Sequence, residues 1–493
     1  MALNLIRNAR MFFTTNVNAT TGAVLTSGFS DTNTWEIQVL DGLSFSQATG
    51  SETVTVNEAG DTPVRGQRQF NTSLEPAEIT FSTYIRPYLD TTGGAIPVWS
   101  ASMASYNGAT LSNANPASNY GPNTFVVVEQ PQTTGGRTAV IAPVFGSGGT
   151  ANQVIGFTIL DRGSGYTSLP DVQVIDPDAT NETSPNVITI TLSGALTSAG
   201  GSNTVLPEEY VLWEAFSTGL GASSGWSTSS SYGQVSFANS SKNQLKKFGM
   251  IIILDGSSYT IDNCVLDQAT IDFGLDAIST IAWTARGSNL NSKTITATKA
   301  SPVVFGGGQI SGTAKAKNTS AVFLANKLSS VAITPIQRGG VYPDGTTTDP
   351  GPYTLALTGG SVTFANGVTY LTPANLGVVN KPATYFTGTR AISGSLNCYL
   401  KTDAAGSGEL LADMLTGSSS TIEPSFSVTL HIGGAPTATT RVELSLASCV
   451  FTIPTINTEQ VVSQTINFTA QGSTSNEYDL AATNEAVIKY YAV

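Results

Sequence analysis

A segment of 25 residues occurs twice in this chain of 493 residues, without a gap between the two copies. The first copy, CVLDQATIDFGLDAISTIAWTARGS, covers Cys264–Ser288, and the second, CVFTIPTINTEQVVSQTINFTAQGS, covers Cys449–Ser473. Ten positions are identical, and many others exchange similar residues, as Trp283 does with Phe468. Internal similarity of this kind is the signature of a repeated structural unit. The repeat therefore predicts two related domains.

Four further matches occur in the same order in both halves of the chain. They pair Arg7–Asn16 with Lys317–Asn326, Trp35–Phe45 with Tyr353–Thr363, Thr80–Pro87 with Ser395–Thr402, and Glu208–Gly219 with Gly408–Gly417. The last two matches lie far apart in the first half and close together in the second, which indicates an insertion at a loop. The predicted units are a first domain from 1–90 and 206–290, an inserted domain at 91–205, a glycine-rich connector at 291–316 and a second domain at 317–493.

Most segments alternate apolar and polar residues with the period of a half-buried strand. Clear examples are TWEIQV, SETVTV, AEITFSTYI, PSFSVTLHI and SQTINFTA. One segment differs, because Leu410, Leu411, Met414 and Leu415 form a helical apolar stripe that Gly417 is placed to end. The pattern predicts an all-β fold class, with two tandem β-sandwich or β-barrel domains that each carry one short helix, and a small all-β inserted domain.

The composition is poor in charge. Asp, Glu, Lys and Arg supply 11% of residues, against about 25% in an ordinary soluble domain. Such surfaces are typical of extracellular β-proteins, adhesins and virion proteins that neighbours cover after assembly. The net charge of −12 argues against a protein that grips nucleic acid, since such binding needs clustered basic residues. No run reaches membrane-spanning length, and the first residues lack the apolar stretch of a secretory signal, which predicts folding in a cytoplasm without membrane insertion.

Residues for catalysis, cofactor binding or metal binding are not found in a convincing pattern. The single histidine, His431, lies in a predicted strand, and no nucleophile elbow, phosphate-binding loop or dinucleotide fingerprint occurs. The acidic stretch at 176–182 is interpreted as solvated turns rather than as a calcium loop. Cys264, Cys398 and Cys449 are predicted to be buried free thiols. These observations predict a protein that is not an enzyme and has no cofactor.

Several segments together resemble the tail tube proteins of long-tailed bacteriophages. They are RNARMFF, the predicted hairpin at Asn33–Glu58, the segment Arg65–Pro87 and the closing strands SQTINFTAQGS. The resemblance implies subunits that pair their sheets into closed rings, which stack into a tube in the virion tail. It also implies a channel through which genomic DNA passes without specific binding, tape-measure, tail terminator and baseplate proteins as partners, and synthesis in the host bacterial cytoplasm.

The resemblance also directs the choice of assembly residues. The hairpin at 33–58 is predicted to be a long two-stranded extension at the channel wall or between rings, and the repeated strands are predicted to lie at alternating interfaces. The candidate assembly residues are Trp35, Ile37, Val39, Val54, Val56, Trp283 and Phe468. Tail tubes of this kind have six tube domains around the axis, so a chain with two fused domains is expected to form a homotrimeric, pseudo-hexameric ring.

Two other functions fit the same composition. A phage adhesin or decoration protein would bind a host-surface glycan through the inserted domain, with Tyr106, Tyr120 and Tyr166 stacking on sugars. A bacterial surface-layer or pilus-like subunit is a third possibility, and the missing export signal disfavours it.

Overall fold

A computed structural model of the chain gives an all-β protein with two helices among its described residues. The described residues are 9–25, 29, 33–55, 67–90, 95–96, 124–130, 132, 138, 140–145, 154–161, 172–175, 187–190, 197–198, 204–217, 226–228, 232–238, 245–254, 257–294, 303–305, 308–310, 323–337, 340–420, 425–434, 440–458, 461–472 and 484–492. The all-β fold class predicted from the alternating segments is confirmed.

The strands of the first half, outside the inserted segment, are β1 (Ala9–Thr14), β2 (Thr34–Ile37), β3 (Ser44–Ser46), β4 (Thr49–Thr55), β5 (Gln67–Leu74), β6 (Ala77–Tyr84) and β7 (Pro87–Asp90). Those of the inserted segment are β8 (Ala95–Ile96), β9 (Phe125–Val128), β10 (Val140–Phe145), β11 (Val154–Asp161), β12 (Val172–Ile175), β13 (Val187–Ile190) and β14 (Thr197–Ser198). The first half continues with β15 (Thr204–Pro207), helix α1 (Tyr210–Ser217), β16 (Trp226–Thr228), β17 (Gly233–Ala238), β18 (Phe248–Leu254), β19 (Ser257–Gly274), β20 (Thr280–Gly287) and β21 (Asn289–Thr294).

The connecting segment contains β22 (Val303–Phe305) and β23 (Gly308–Ile310). The second half contains β24 (Ser330–Ile336), β25 (Tyr353–Thr354), β26 (Leu357–Ala365), β27 (Val368–Leu371), β28 (Thr384–Thr387), β29 (Ala391–Tyr399), helix α2 (Ser407–Ser420), β30 (Ser425–Ile432), β31 (Arg441–Phe451), β32 (Thr455–Thr458), β33 (Val462–Gln471) and β34 (Asn484–Tyr491).

The two halves share one pattern of antiparallel pairing. Eight strand pairs of the first half, β1–β2, β1–β18, β3–β6, β4–β5, β6–β20, β18–β19, β19–β20 and β19–β21, recur in the second as β24–β25, β24–β30, β26–β29, β27–β28, β29–β33, β30–β31, β31–β33 and β31–β34. The matched helical segments form α1 and α2. This recurrence gives the duplicated sequence a structural counterpart.

A shared irregularity supports the equivalence of the repeated strands. Phe248 lies opposite Cys264, and Phe426 lies opposite Cys449; in both pairs a register shift follows at once. Such bulges bend a strand and set its twist at a fixed place. The beginning of the repeated segment therefore lies at the same point of both halves.

Within the repeat, the pairing differs by two residues. Val265 lies opposite Arg286, whereas the equivalent Val450 lies opposite Thr469 rather than Gln471. A shift of two residues keeps every side chain on its face of the sheet. The long strand β19 is also interrupted in its counterpart, which is divided into β31 and β32 around Pro454, a residue without a backbone donor.

Three details of the sequence interpretation are wrong. The counterpart of β1 is β24, which begins at Ser330, and not the segment Lys317–Asn326, because β24 makes the pairs equivalent to those of β1. Strand β21 reaches Thr294 and so enters the predicted connector. Helix α2 continues to Ser420 past Gly417; that glycine packs against the carbonyl oxygen of Pro343, where a Cβ would lie only 2.0 Å away.

The predicted hairpin at Asn33–Glu58 is also wrong. Strand β2 pairs with β1, β3 pairs with β6, and only β4 forms a hairpin, with β5. The alternation of apolar residues is real in each strand, but Gly42 at φ +101 lies between the two apolar runs and separates the core strand from the hairpin. The described part of the extension therefore consists of β4 and β5.

The inserted segment leaves the first half through one short pair of strands. Strands β7 and β15 are antiparallel, with Pro87 opposite Pro207 and Asp90 opposite Thr204. Between them, the described strands β8–β14 pair only with one another. The two ends of the segment are thus adjacent, as an insertion at a loop requires. Its treatment as a separate domain stays a prediction.

Candidate assembly interface

The two halves are joined by direct pairing of their sheets. Residues Gln268–Gly274 of β19 lie antiparallel to Gly359–Ala365 of β26, with seven residue pairs in register. The hydroxyls of Thr270 and Thr363 lie 3.1 Å apart across this pair. Such a junction gives each strand backbone partners on both sides and leaves no free edge between the halves.

An aromatic cluster lies beneath this junction. Trp213 of α1 packs edge-on against Trp283 at 4.8 Å and against Phe364 of the second half at 5.6 Å. Phe237 stacks on Phe364 at 4.9 Å. Offset and edge-to-face contacts of this type add to the gain from apolar burial. The junction is therefore part of one hydrophobic core that includes both halves.

The C-terminal strand β34 strengthens the connection. It pairs with β17 of the first half as well as with β31. Its Tyr490 accepts a hydrogen bond of 2.6 Å from the indole of Trp213 and lies beside the fully buried carboxyl of Glu209. Burial raises the pKa of Glu209 to about 8, because the charged form loses its hydration. At neutral pH this carboxyl is therefore mainly protonated.

The hairpin β27–β28 of the second half lies across the first half. The hydroxyl of Tyr370 donates to the carbonyl oxygens of Asn263 and Arg286, and the hydroxyl of Tyr385 donates to that of Leu245 at 2.6 Å. Burial raises the pKa of Tyr385 to about 12. Both tyrosines therefore stay protonated donors over the physiological range.

A further contact fixes the base of the same hairpin. The backbone N–H of Val368 donates to the carboxylate of Asp267 at 2.7 Å, and this carboxylate also pairs with Arg286 at 3.1 Å. The side chain of Asn366 donates to the carbonyl oxygens of Phe216 and Leu266. The hairpin is thus held by buried polar contacts as well as by ring packing.

The strands equivalent to β26 and β19 are β3 in the first half and β32 in the second, and each has one edge without a partner strand among the described residues. Among the described strands, β3 pairs only with β6 and β32 pairs only with β33. Apolar side chains are exposed near β32, including Ile453, Ile456 and Val461, and Leu415 of α2 is 51% exposed. An apolar open edge is a template for pairing with another chain.

The hairpin β4–β5 is exposed on both faces. Glu52 lies opposite Phe70, and Val54 lies opposite Arg68, so these four side chains share one face. Phe70 is 55% exposed and Val54 is 44% exposed. The other face carries polar residues such as Gln69 and Asn71. Within the described part of this chain, only the base of the hairpin bridges to the second half, where Leu74 donates to the carbonyl of Asn380.

The candidate assembly residues occupy different environments. Ile37, Trp283 and Phe468 are buried in the core, and Trp35 and Val39 pack against it. Val54 is exposed on the hairpin, and Val56 lies outside the described residues. A buried side chain acts on assembly only by shaping the sheet, and Val54 is the most exposed residue of this set among those that the structure describes. The assembly role of all seven stays a prediction.

Sequence reasoning missed the residues that join the halves. Tyr370 and Tyr385 were not singled out, although two apolar runs, VTYL and TYFTG, flank a segment with Pro373, Gly377 and Pro382, which is a hairpin signal. The role of Tyr490 depends on a contact with Trp213 that is 277 residues away in the chain. No local pattern indicates such a contact.

The thiols and the histidine lie in packed strands. Cys264, Cys398 and Cys449 are free and buried, as predicted, and burial raises the pKa of each. Burial lowers the pKa of His431, whose ring lies 3.9 Å from the carboxylate of Glu443. The described part of the chain contains no cluster of three or more His, Cys, Asp or Glu side chains arranged for a metal ion.

Two further findings concern membranes and the inserted segment. No helix in the described ranges has both the length and the apolar character needed to cross a membrane. The acidic stretch 176–182 and the tyrosines proposed to bind sugars, Tyr106, Tyr120 and Tyr166, lie outside the described residues.

The chain is similar in sequence to a phage tail protein. No family model matches the chain. The tail tube protein pb6 of Escherichia phage T5 is 24% identical over 476 residues, which cover 95% of this chain and 73% of the relative. The similarity supports the interpretation of this chain as a tail tube protein of long-tailed phages. It spans both halves and the inserted segment, and it supports a structural role in a phage tail tube; the relative's printed name is that of a structural protein, not an enzyme.

Proposed function

We propose that this chain polymerises into stacked rings that form a phage tail tube, and that the tube is the channel for genome ejection into the host. The observation that carries the proposal is the internal β19–β26 junction, together with the open state of the equivalent strands. A second copy of the chain supplies what the open edges lack. Its β3 is the equivalent of β26, and β32 is the equivalent of the paired part of β19.

The internal junction predicts a register between chains. Thr80 corresponds to Ser395, so Glu78 corresponds to Ser393. Ser46 lies opposite Glu78 as Thr363 lies opposite Ser393, so the strand pairing puts Ser46 in the position of Thr363, one residue after the sequence match of Phe45 with Thr363. Thr455 lies six residues after Cys449, just as Thr270 lies six residues after Cys264, so Thr455 is in the position of Thr270. Because Thr270 pairs with Thr363 inside the chain, Thr455 pairs with Ser46 of the next chain in the ring.

The surface of α2 fits this arrangement. In the first half, Trp213 of α1 is covered by Phe364 across the junction. In the second half, Leu415 of α2 is 51% exposed in the isolated chain. A neighbouring chain that pairs with β32 brings apolar side chains to this helix, and burial of each Å² of apolar surface contributes about 25 cal/mol.

The number of chains follows from head-to-tail closure. If six tube domains surround the axis and each chain supplies two, three chains complete the ring, with pseudo-six-fold symmetry. The low content of basic residues and the net charge of −12 suit a channel through which DNA slides. Tape-measure, tail terminator and baseplate proteins are the expected partners in the virion tail.

Cross-linking at the proposed register tests the ring and its size together. Thr455→Cys and Ser46→Cys are combined in one chain and treated with a short bis-maleimide after assembly, and products are separated in denaturant. We expect a ladder that ends at three chains. The control combines Ser46→Cys with Thr452→Cys, which is three residues out of register and should link poorly. A ladder that ends at six chains would overturn the trimer, and the absence of any inter-chain product would overturn the edge pairing.

A further inference from the structure

The second-half hairpin β27–β28 has a fixed place on the first half, whereas its first-half equivalent, β4–β5, is anchored only at its base within the described part of its own chain. Tyr370 and Tyr385 anchor β27–β28 through carbonyl oxygens of β19, of β20 and of the segment that leads into β18. Hairpin β4–β5 instead exposes Phe70 and Val54. An isolated two-stranded hairpin is only marginally stable in water, so this hairpin would be stabilised by a partner that covers Phe70 and Val54.

The registers of the two hairpins align their aromatic positions. Tyr370 lies opposite Tyr385, and Glu52 lies opposite Phe70. Thr80 of β6 corresponds to Ser395 of β29, which is 315 residues later in the chain. With the same offset, Phe70 of β5 corresponds to Tyr385 of β28. An exposed phenylalanine therefore occupies the position of a buried tyrosine.

We propose that hairpin β4–β5 is an arm that docks on the second half of a neighbouring copy of this chain, as β27–β28 docks on the first half of its own chain. The inference rests on the proposed ring, since it requires the second half of one chain to lie beside the first half of the next. The face that carries Phe70 and Val54 contacts the strands β30, β31 and β33 of that neighbour.

The receiving surface has equivalents of the internal anchor points. Asn263 and Arg286, whose carbonyl oxygens accept from Tyr370, correspond to Ser448 and Gln471. Ser448 lies opposite Gln471 across β31 and β33. Glu52 has the position of Tyr370, and a carboxylate accepts hydrogen bonds where the tyrosine donates them. The Gln471 amide of the neighbour is a donor of the required kind.

The acceptor positions of its own first half are already occupied, which explains why the arm docks on a neighbour and not on its own chain. Around its own first half, the receiving carbonyl oxygens are already occupied by Tyr370 and Tyr385. The base of the arm is held at Asn380, whose carbonyl oxygen accepts from Leu74 N–H and whose N–H donates to the carbonyl oxygen of Thr72. The free docking surface for this arm is thus on another chain.

Photo-cross-linking of assembled protein tests the arm. The photoreactive residue p-benzoylphenylalanine replaces Phe70, and a matched variant carries it at Asn71, on the opposite face of the same strand. After irradiation we expect the position-70 variant to give a two-chain product whose linked peptide lies within residues 425–472. The position-71 variant should give several-fold less. Links only within one chain, links to the first half of a neighbour, or equal yields from both positions would overturn the arm.

A pair of substitutions separates docking from folding. Phe70→Ser and Val54→Ser should leave the melting temperature nearly unchanged, because both side chains are largely exposed, and should raise the concentration needed for assembly about tenfold. Gln69→Ser should leave assembly unaltered. If Phe70→Ser assembles like the unaltered chain, the arm is wrong, while the bis-maleimide ladder still reports on the ring. If the unaltered chain forms neither rings nor tubes, both proposals fail.

Discussion

The indole of Trp213 donates a hydrogen bond of 2.6 Å to the hydroxyl of Tyr490, and both side chains are completely buried. Trp213 belongs to helix α1 of the first half, and Tyr490 belongs to β34, the last of the described strands. The helix lies beneath the junction of the halves, so this bond ties the last strand to the helix at that junction. A buried donor that loses its acceptor retains the full cost of its desolvation.

Removal of the Tyr490 hydroxyl should therefore destabilise the protein. We expect Tyr490→Phe to lower the free energy of unfolding by about 1–3 kcal/mol, since the Trp213 N–H would remain buried without its partner. Denaturant unfolding followed by tryptophan fluorescence measures the change. Tyr491→Phe, at the adjacent and partly exposed position, removes only a long hydrogen bond of 3.3 Å to the Glu443 carboxylate and should change stability by less than about 0.5 kcal/mol. Equal effects of the two substitutions would contradict the role of this bond.

Glu209 should make stability fall as pH rises from about 4.5 to about 8. In this window the unfolded carboxyl loses its proton at its ordinary pKa of 4.5, while the folded carboxyl keeps it, because burial raises the folded pKa to about 8. The folded state is thus favoured below this window and loses that advantage through it. Glu209→Gln should flatten the corresponding part of a plot of melting temperature against pH.

The control for this measurement is Glu208→Gln, the adjacent position, whose carboxylate pairs with Arg86 at 3.5 Å. This variant should keep the slope that belongs to Glu209. A Glu209→Gln protein with the same pH dependence as the unaltered chain would show that the buried carboxyl is not protonated in the folded state.

The close approach at Gly394 should make this position intolerant of a side chain. A Cβ there would lie 2.5 Å from the ring of Phe468 and 2.5 Å from the carbonyl oxygen of Ser361. We expect Gly394→Ala to cost about 1–3 kcal/mol, because both neighbours lie inside a packed sheet. Thermal unfolding measures the loss.

Gly274→Ala is the matched control, since its Cβ would meet nothing closer than 3.9 Å. It should be close to neutral. An unaltered stability in both variants would mean that β29 and β33 lie further apart in solution than in the structure.

The inserted segment should be dispensable for the fold of the two halves. Replacement of residues 91–203 by DAAGSG, the sequence of Asp403–Gly408, should leave a folded chain, because Asp90 and Thr204 already lie opposite each other in β7 and β15. We expect assembled tubes of smaller outer diameter in negative-stain images. Loss of folding would place the segment within the core, and unchanged diameter would contradict an outward position.

The sequence predicts the strands and the duplication well, because both depend on local period and on internal comparison. The alternation in PSFSVTLHI corresponds to β30, where buried and half-buried residues alternate from Phe426 to Ile432. The apolar stripe of α2 is confirmed for the buried Leu410 and Met414. These features require only that neighbouring residues face one core.

The pairing of strands is less accessible to sequence reasoning. The apolar residues at Ile37 and Val54 both alternate, yet one belongs to a core strand and the other to an exposed hairpin. Period alone gives the face of a residue and not the strand beside it. The tyrosine anchors of β27–β28 are also absent from any local pattern, since their acceptors lie 84 to 140 residues earlier.

The covalent link between the halves changes the kinetics of ring closure. Half of the domain junctions in a ring built as proposed form within one chain, where the local concentration of the partner edge does not depend on the amount of protein in solution. The β19–β26 junction is thus complete as soon as a chain has folded. Nucleation then needs fewer encounters between molecules than a ring of separate domains, so dilution should delay tube growth less steeply than it would for an unfused subunit.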